Sequence, residues 1–209
     1  MRYVYLFGAA ILIGILLAFL DISEPLGIVL AIVLLFGLST NLFVLPIYMG
    51  KDVEKLEKFI RERRRNPVFK LYYGIANTLD DDVKEATDTL LRKYKDPSRQ
   101  AIFKTLHALY EKDILRAKHE IQKIQPVEYK HYYQAIVAIE EGNLEEANEL
   151  CSSIKSDWMK HALRAGIAEK AKDHEAFKEQ IQKAFDKTRG LQRYVLYKQY
   201  EQVLRGSNA

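Results

Sequence analysis

The chain has 209 residues and a formal net charge of +4, with 48% hydrophobic and 29% charged residues, but the two classes are segregated. Residues 1–50 hold only Arg2, Asp21 and Glu24 as formal charges, and every other charged side chain lies beyond them. A single cysteine, Cys151, excludes an intramolecular disulfide framework, and no spaced Cys/His set suits structural zinc, so folding rests on packing alone.

Residues 3–20 carry no charge. At 1.5 Å per residue that run measures about 27 Å, close to the roughly 30 Å of a bilayer hydrocarbon core, and it predicts a transmembrane helix. A second apolar run, residues 26–49, measures about 36 Å and spans with tilt or with an interfacial last turn after Pro46. The connector from Asp21 to Pro25 is short and acidic, offers no A-x-A-like cleavage site, and predicts a tight antiparallel transmembrane hairpin over residues 1–50. Ala10, Gly14 and Ala18 on the first run and Gly27 and Ala31 on the second recur every four residues, which lets backbones approach closely. Hairpin packing is the expected use, with homo-oligomerisation through the same stripe as the alternative, and Asn41 is placed for an interhelical hydrogen bond. No ionisable residue lies inside either run, which argues against a proton relay. The acidic tip and basic flanks predict both termini on the cytoplasmic side of a plasma membrane, expected to be bacterial.

Residues 51–66 place Val53, Leu56, Phe59 and Ile60 at helical spacing. Lys51, Lys55, Lys58, Arg61, Arg63, Arg64 and Arg65 outnumber Asp52, Glu54, Glu57 and Glu62 there, as a topology-setting flank or a surface for anionic lipid. Nucleic acid is not expected as a partner, because elsewhere bases and acids are interleaved.

From Pro67 onward, residues 67–209 read as all-α, with helix-length segments separated by turn signals such as Asp96-Pro97, Gln125-Pro126 and Gly142-Asn143. Asp113, Asn143 and Asp173 begin similar segments thirty residues apart, with Asp82 thirty-one before Asp113. Each acidic or amide residue is placed to cap a second helix. Ala86, Ala117 and Ala147 then allow close approach, Leu90, Ile121, Cys151 and Ile181 repeat as inward positions, and Ala108, Ala138 and Ala168 match on the first helices. Such helical hairpins bury their apolar faces by stacking into a solenoid.

These residues resemble the tetratricopeptide repeat (TPR) family, best over residues 128–154, where Gly142 to Ala147 looks like the inter-helix glycine and helix-starting alanine and Cys151 and Ile154 fall at second-helix positions. His131, Gln134 and Ala135 stand where the family's first-helix aromatic and Leu-Gly pair are usual, and the period is thirty rather than thirty-four residues. The pattern gives four shortened antiparallel helix pairs over 67–95, 97–124, 127–154 and 157–187, and a final helix over 191–204 that caps the array. The resemblance implies protein or peptide binding and puts first helices on the concave face. Tyr72, Tyr73, Tyr129, Tyr132 and Tyr133 lie on first helices and are the candidate partner groove.

No motif specifies catalysis, metal or cofactor. His131 and His161 are one repeat apart without a convergent set, Cys151 falls on an inward face, and Asp80, Asp81 and Asp82 suit a helix start. Neither GxxxxGK[ST] nor GxGxxG occurs. The expected function is a non-enzymatic, membrane-anchored scaffold presenting a TPR-like groove. The alternative is a small accessory subunit of a larger membrane complex, recognised through its hairpin.

Overall fold

The structure is a computed structural model and describes residues 8, 10–13, 15, 24–39 and 50–201. The chain divides into two compact units, residues 1–50 and residues 51–209.

In the first unit, α1 spans Glu24–Ser39, a 16-residue helix that is apolar on all sides. Among the described residues no helix is long and apolar enough to cross a membrane, which overturns the expected transmembrane hairpin. At 1.5 Å per residue α1 measures about 24 Å, short of a hydrocarbon core of about 30 Å. Residues 40–49 of the apolar run lie outside the described residues. Most of the first expected span lies outside the described residues, as do Gly14, Ala18 and Asn41. Ala10, Gly27 and Ala31 are half-buried, and a methyl group built on Gly27 would meet nothing within 4 Å among the described residues.

Among its described residues the second unit has only helices as regular structure, in an arrangement compatible with an α-solenoid. It opens with α2, Val53–Glu62, whose Leu56, Phe59 and Ile60 are buried as the sequence spacing requires. Asp52 caps it by accepting from the Lys55 backbone N–H at 3.1 Å. Four antiparallel pairs follow: α3 (Pro67–Asn77) with α4 (Asp80–Lys93), α5 (Pro97–Tyr110) with α6 (Ile114–Ile121), α7 (Val127–Glu141) with α8 (Leu144–Ser153), and α9 (Asp157–Lys170) with α10 (His174–Lys187). The last described helix is α11, Gly190–Gln199.

Each pair turns in the same way. Thr78, Lys112, Gly142 and Lys172 adopt left-handed backbone conformations with φ of 55°, 59°, 80° and 60°. The next backbone N–H, from Leu79, Asp113, Asn143 or Asp173, donates to the carbonyl of Gly74, Ala108, Ala138 or Ala168 at 2.8–2.9 Å, satisfying a carbonyl that the helix end would otherwise orphan. Asp113, Asn143 and Asp173 then cap α6, α8 and α10, accepting from the N–H three residues on at 3.0, 3.3 and 3.0 Å. Asp82 does not: α4 begins at Asp80 with Leu79 at the cap position, and Asp82 instead pairs with Arg64 and Lys70. The pairs pack through the small and aliphatic positions read from the repeat. Ala86, Ala117, Ala147, Leu90, Ile121, Cys151 and Ile181 are all buried.

Successive pairs are also tied by a periodic polar link. Ser98 Oγ in α5 accepts the Gln125 backbone N–H at 2.9 Å, and thirty residues later Glu128 Oε1 in α7 accepts those of Lys155 and Ser156 at 2.8 and 2.7 Å. Each link lets the start of one pair bind the backbone that leads into the next.

The terminal helix does more than cover the last pair. On one side Phe177 and Phe185 of α10 meet Tyr200 and Tyr197 at ring-centroid distances of 5.7 and 5.9 Å. On the other, α11 packs on α3 and α2, with Tyr194 fully buried against Tyr73 and Asn77. Arg193 donates to the Lys51 and Phe185 carbonyls at 2.7 and 2.6 Å, and Lys198 pairs with Glu57 at 3.1 Å. The array thus closes on its own first helices.

Candidate binding cavity

Closure by α11 leaves a half-open groove of about 770 Å³ lined by first helices, by Thr78, Lys112 and Ile114 beyond their ends, and by α11 itself. Its walls are mainly aliphatic and aromatic: Ile75 and Ala76 from α3, Leu106 and Leu109 from α5, Ile136 from α7, Trp158 from α9, Val195 and Leu196 from α11.

Four of the five candidate tyrosines, Tyr72, Tyr129, Tyr132 and Tyr133, line this one space. Tyr133 is only 7% exposed, whereas Tyr129 stands at the opening with 38% of its surface accessible. Tyr132 packs edge-on against Tyr133 and Trp158, with ring centroids 5.5 Å apart in both pairs. Burial, then neighbouring tyrosines, pushes the Tyr133 hydroxyl well above its ordinary pKa, and burial also raises those of Tyr72 and Tyr132. These three rings therefore present neutral hydroxyls at physiological pH. Tyr73, the fifth candidate, is diverted: it stacks on Tyr194 at 6.4 Å and carries the Arg64 guanidinium 4.9 Å above its ring.

The hydroxyls differ in their partners. Tyr110 also lines the space, but it donates to the Asp80 carboxylate, which pushes its pKa up to about 12. Among the described residues, no hydrogen bond engages the hydroxyls of Tyr72, Tyr129, Tyr132 or Tyr133. Three charged residues reach the lining. Glu140 pairs with Lys170 at 3.3 Å and Lys198 with Glu57 at 3.1 Å, while Lys112 has no ion-pair partner among the described residues.

The basic residues of the 51–66 segment differ in their contacts. Lys55 pairs with Asp52 at 2.9 Å, Arg63 lies 3.9 Å over the Phe59 ring, and Arg64 reaches Asp82 at 3.3 Å. Lys51, Lys58, Arg61 and Arg65 are exposed.

His131 and His161 hold repeat-equivalent structural positions, each reaching from a first helix to its partner helix. His131 Nδ1 lies 2.7 Å from Ser153 Oγ and His161 Nδ1 lies 2.8 Å from Gln180 Oε1. Cys151 is 4% exposed, and burial pushes its thiol pKa up, the opposite of nucleophile activation. The described residues contain no group of three or more His, Cys, Asp or Glu side chains placed to hold a metal ion.

Sequence reasoning located the tyrosines but missed Leu106, Leu109, Ile136 and Trp158, which share their first-helix faces and could have been found from the same period. The contribution of Val195 and Leu196 carried no local signal. No protein-family model, curated protein or solved structure matches the chain.

Proposed function

We propose that this chain is a non-enzymatic helical-repeat scaffold whose concave face receives a protein or peptide partner at the tyrosine-lined opening. The observation that carries the reading is the convergence of Tyr72, Tyr129, Tyr132 and Tyr133 from α3 and α7 on one concave space. Tyrosine suits a recognition surface because its ring offers a large rigid contact area and its hydroxyl an adaptable hydrogen bond. The exposed Tyr129, with Lys112 and Glu140 beside the same space, forms the part a macromolecular partner reaches first.

The test is affinity capture with the full chain carrying a photo-crosslinking side chain at position 129, compared with the same group at the exposed position 115. A protein crosslinked at 129 but not at 115, and lost when Tyr132→Ala is added without change in the melting temperature, supports the scaffold. Identical crosslinked species at both positions, or none, overturns it.

A further inference from the structure

The scaffold reading concerns the second unit; the first carries a continuous set of exposed apolar side chains. Leu26, Ile28, Val29, Ile32, Val33 and Leu34 of α1 are each 48–61% exposed. Among the described residues of the second unit, exposed large hydrophobics stand singly, at Leu79, Leu115, Val127 and Tyr129. Single exposed hydrophobics are ordinary, whereas a contiguous set marks a surface that something covers.

The distribution around α1 says what covers it. At roughly 100° per residue, Gly27, Ala31, Leu35 and Leu38 fall on one stripe, and all four are half-buried. The six exposed residues occupy the rest, an arc of about 240°. A helix that docks in a protein groove or on a second copy presents one apolar stripe, with anchors at i, i+3, i+4 and i+7, and keeps polar residues on its remaining faces. Between Pro25 and Leu38 α1 has no polar side chain to mark the edge of such a contact. Acyl chains surround a helix from every open side and ask for no hydrogen bond, because the helix satisfies its backbone internally.

Charge points the same way. After Glu24 the next charged residue along the chain is Lys51. In the segment 51–66, Lys51, Lys58, Arg61 and Arg65 are exposed and have no ion-pair partner among the described residues. The anions Asp52, Glu57 and Glu62 are paired there with Lys55, Lys198 and Arg63, which leaves a surplus of available positive charge. Anionic lipid head groups attract such a segment.

We propose that α1 is embedded in the hydrocarbon layer of a lipid bilayer that carries anionic lipid, with its exposed arc against the acyl chains. At about 24 Å, α1 lies within that layer without reaching from one face to the other. This goes beyond the scaffold reading and does not depend on it.

The test places a fluorescent label on three sides of the arc, through Ile28→Cys, Val29→Cys and Leu34→Cys in the full chain. The parent chain is the labelling blank, since its Cys151 is 4% exposed. Each labelled protein is reconstituted from detergent into vesicles of phosphatidylcholine and phosphatidylglycerol, with and without lipid bearing a spin label near the middle of the acyl chain. The expected result is similar quenching at all three positions and none at Leu115→Cys, which is 82% exposed in the second unit. Replacing Lys51, Lys58, Arg61 and Arg65 together by Gln slows capture from detergent by these vesicles about tenfold and leaves capture by pure phosphatidylcholine vesicles unchanged.

Quenching at only one or two of the three positions shows a one-sided contact and overturns the proposal. Absence of quenching overturns it as well, and a dimer that dissociates in Val29→Asp then assigns the arc to a second copy. Unchanged capture of the glutamine variant, or equal slowing on both kinds of vesicle, overturns the anionic-lipid assignment. Crosslinking at position 129 is read in the second unit, so the scaffold and the embedding of α1 fail separately.

Discussion

The side-chain amide of Asn77 donates to the hydroxyl oxygen of Tyr194 at 2.8 Å, across 117 residues of sequence, and the same amide donates to the Tyr73 carbonyl at 2.8 Å. This contact fastens the terminal helix to the first pair. Tyr194 is fully buried, so Tyr194→Ala removes a large apolar contact as well as the hydrogen bond and is expected to destabilise by about 3–5 kcal/mol. Tyr194→Phe keeps the ring and costs about 1 kcal/mol. Urea denaturation followed by Trp158 fluorescence measures both; equal losses would show that the hydroxyl rather than the ring holds α11.

Glu128 makes the link between the third and fourth pairs dependent on pH. The N–H of Ser156, then that of Lys155, holds its carboxyl below the usual glutamate value, because both bonds favour the ionised form. A folded-state pKa below the unfolded one contributes stability that is present above the ordinary glutamate range and is lost as pH falls through the folded value. Thermal melts from pH 6 down to pH 3 should therefore show an acid-side decline that is shallower in Glu128→Gln. Superimposable profiles for the two proteins would remove this role from Glu128.

Gly74 sits where the first pair is tightest. A methyl group there would lie 2.9 Å from Val83 Cγ2 and 3.2 Å from the Val83 backbone nitrogen, and backbone cannot easily yield. Gly74→Ala is expected to cost about 1–3 kcal/mol by overpacking, against the gain of roughly 0.5–1 kcal/mol that alanine ordinarily brings inside a helix. A denaturation midpoint at or above that of the parent would contradict the crowding.

The turn before α10 holds Lys172 at φ 60°, where the equivalent Gly142 has φ 80°. A non-glycine residue in this region carries strain of about 1–2 kcal/mol, so Lys172→Gly is expected to raise the melting temperature by a few degrees, while Gly142→Ala lowers it. The opposite signs are the test, measured by differential scanning calorimetry on both variants.

Cys151 reports the integrity of the third pair. Its buried thiol, with its pKa pushed up by burial, should react with a disulfide reagent far more slowly in the folded chain than in urea. Ala147→Leu, which forces a larger side chain into a fully buried site beside it, should accelerate the reaction in the native state.

Much of the second unit is legible because its determinants are local. Asp113, Asn143 and Asp173 cap helices through the N–H three residues on, and Leu90, Ile121, Cys151 and Ile181 are buried at each repeat. Asp82 misled by matching the period. The first turn lies at Thr78 and Leu79, so α4 starts earlier than the repeat spacing implied, and hydrogen bonding to the preceding helix decides that start.

The apolar run of residues 26–49 misled for another reason. Composition measures what a segment can be immersed in, whereas crossing a bilayer also requires one helix of sufficient length, and the described helix has 16 residues. By itself the sequence determined the helical class, the pairing of helices and the inward faces, all set by contacts within about one repeat. Only the tertiary structure decided that α11 returns to α3, that Tyr73 is used up in holding it, and that Tyr72, Tyr129, Tyr132 and Tyr133 share one cavity. Those relationships join side chains far apart in sequence through packing and hydrogen bonds, which leave no periodic trace in the chain.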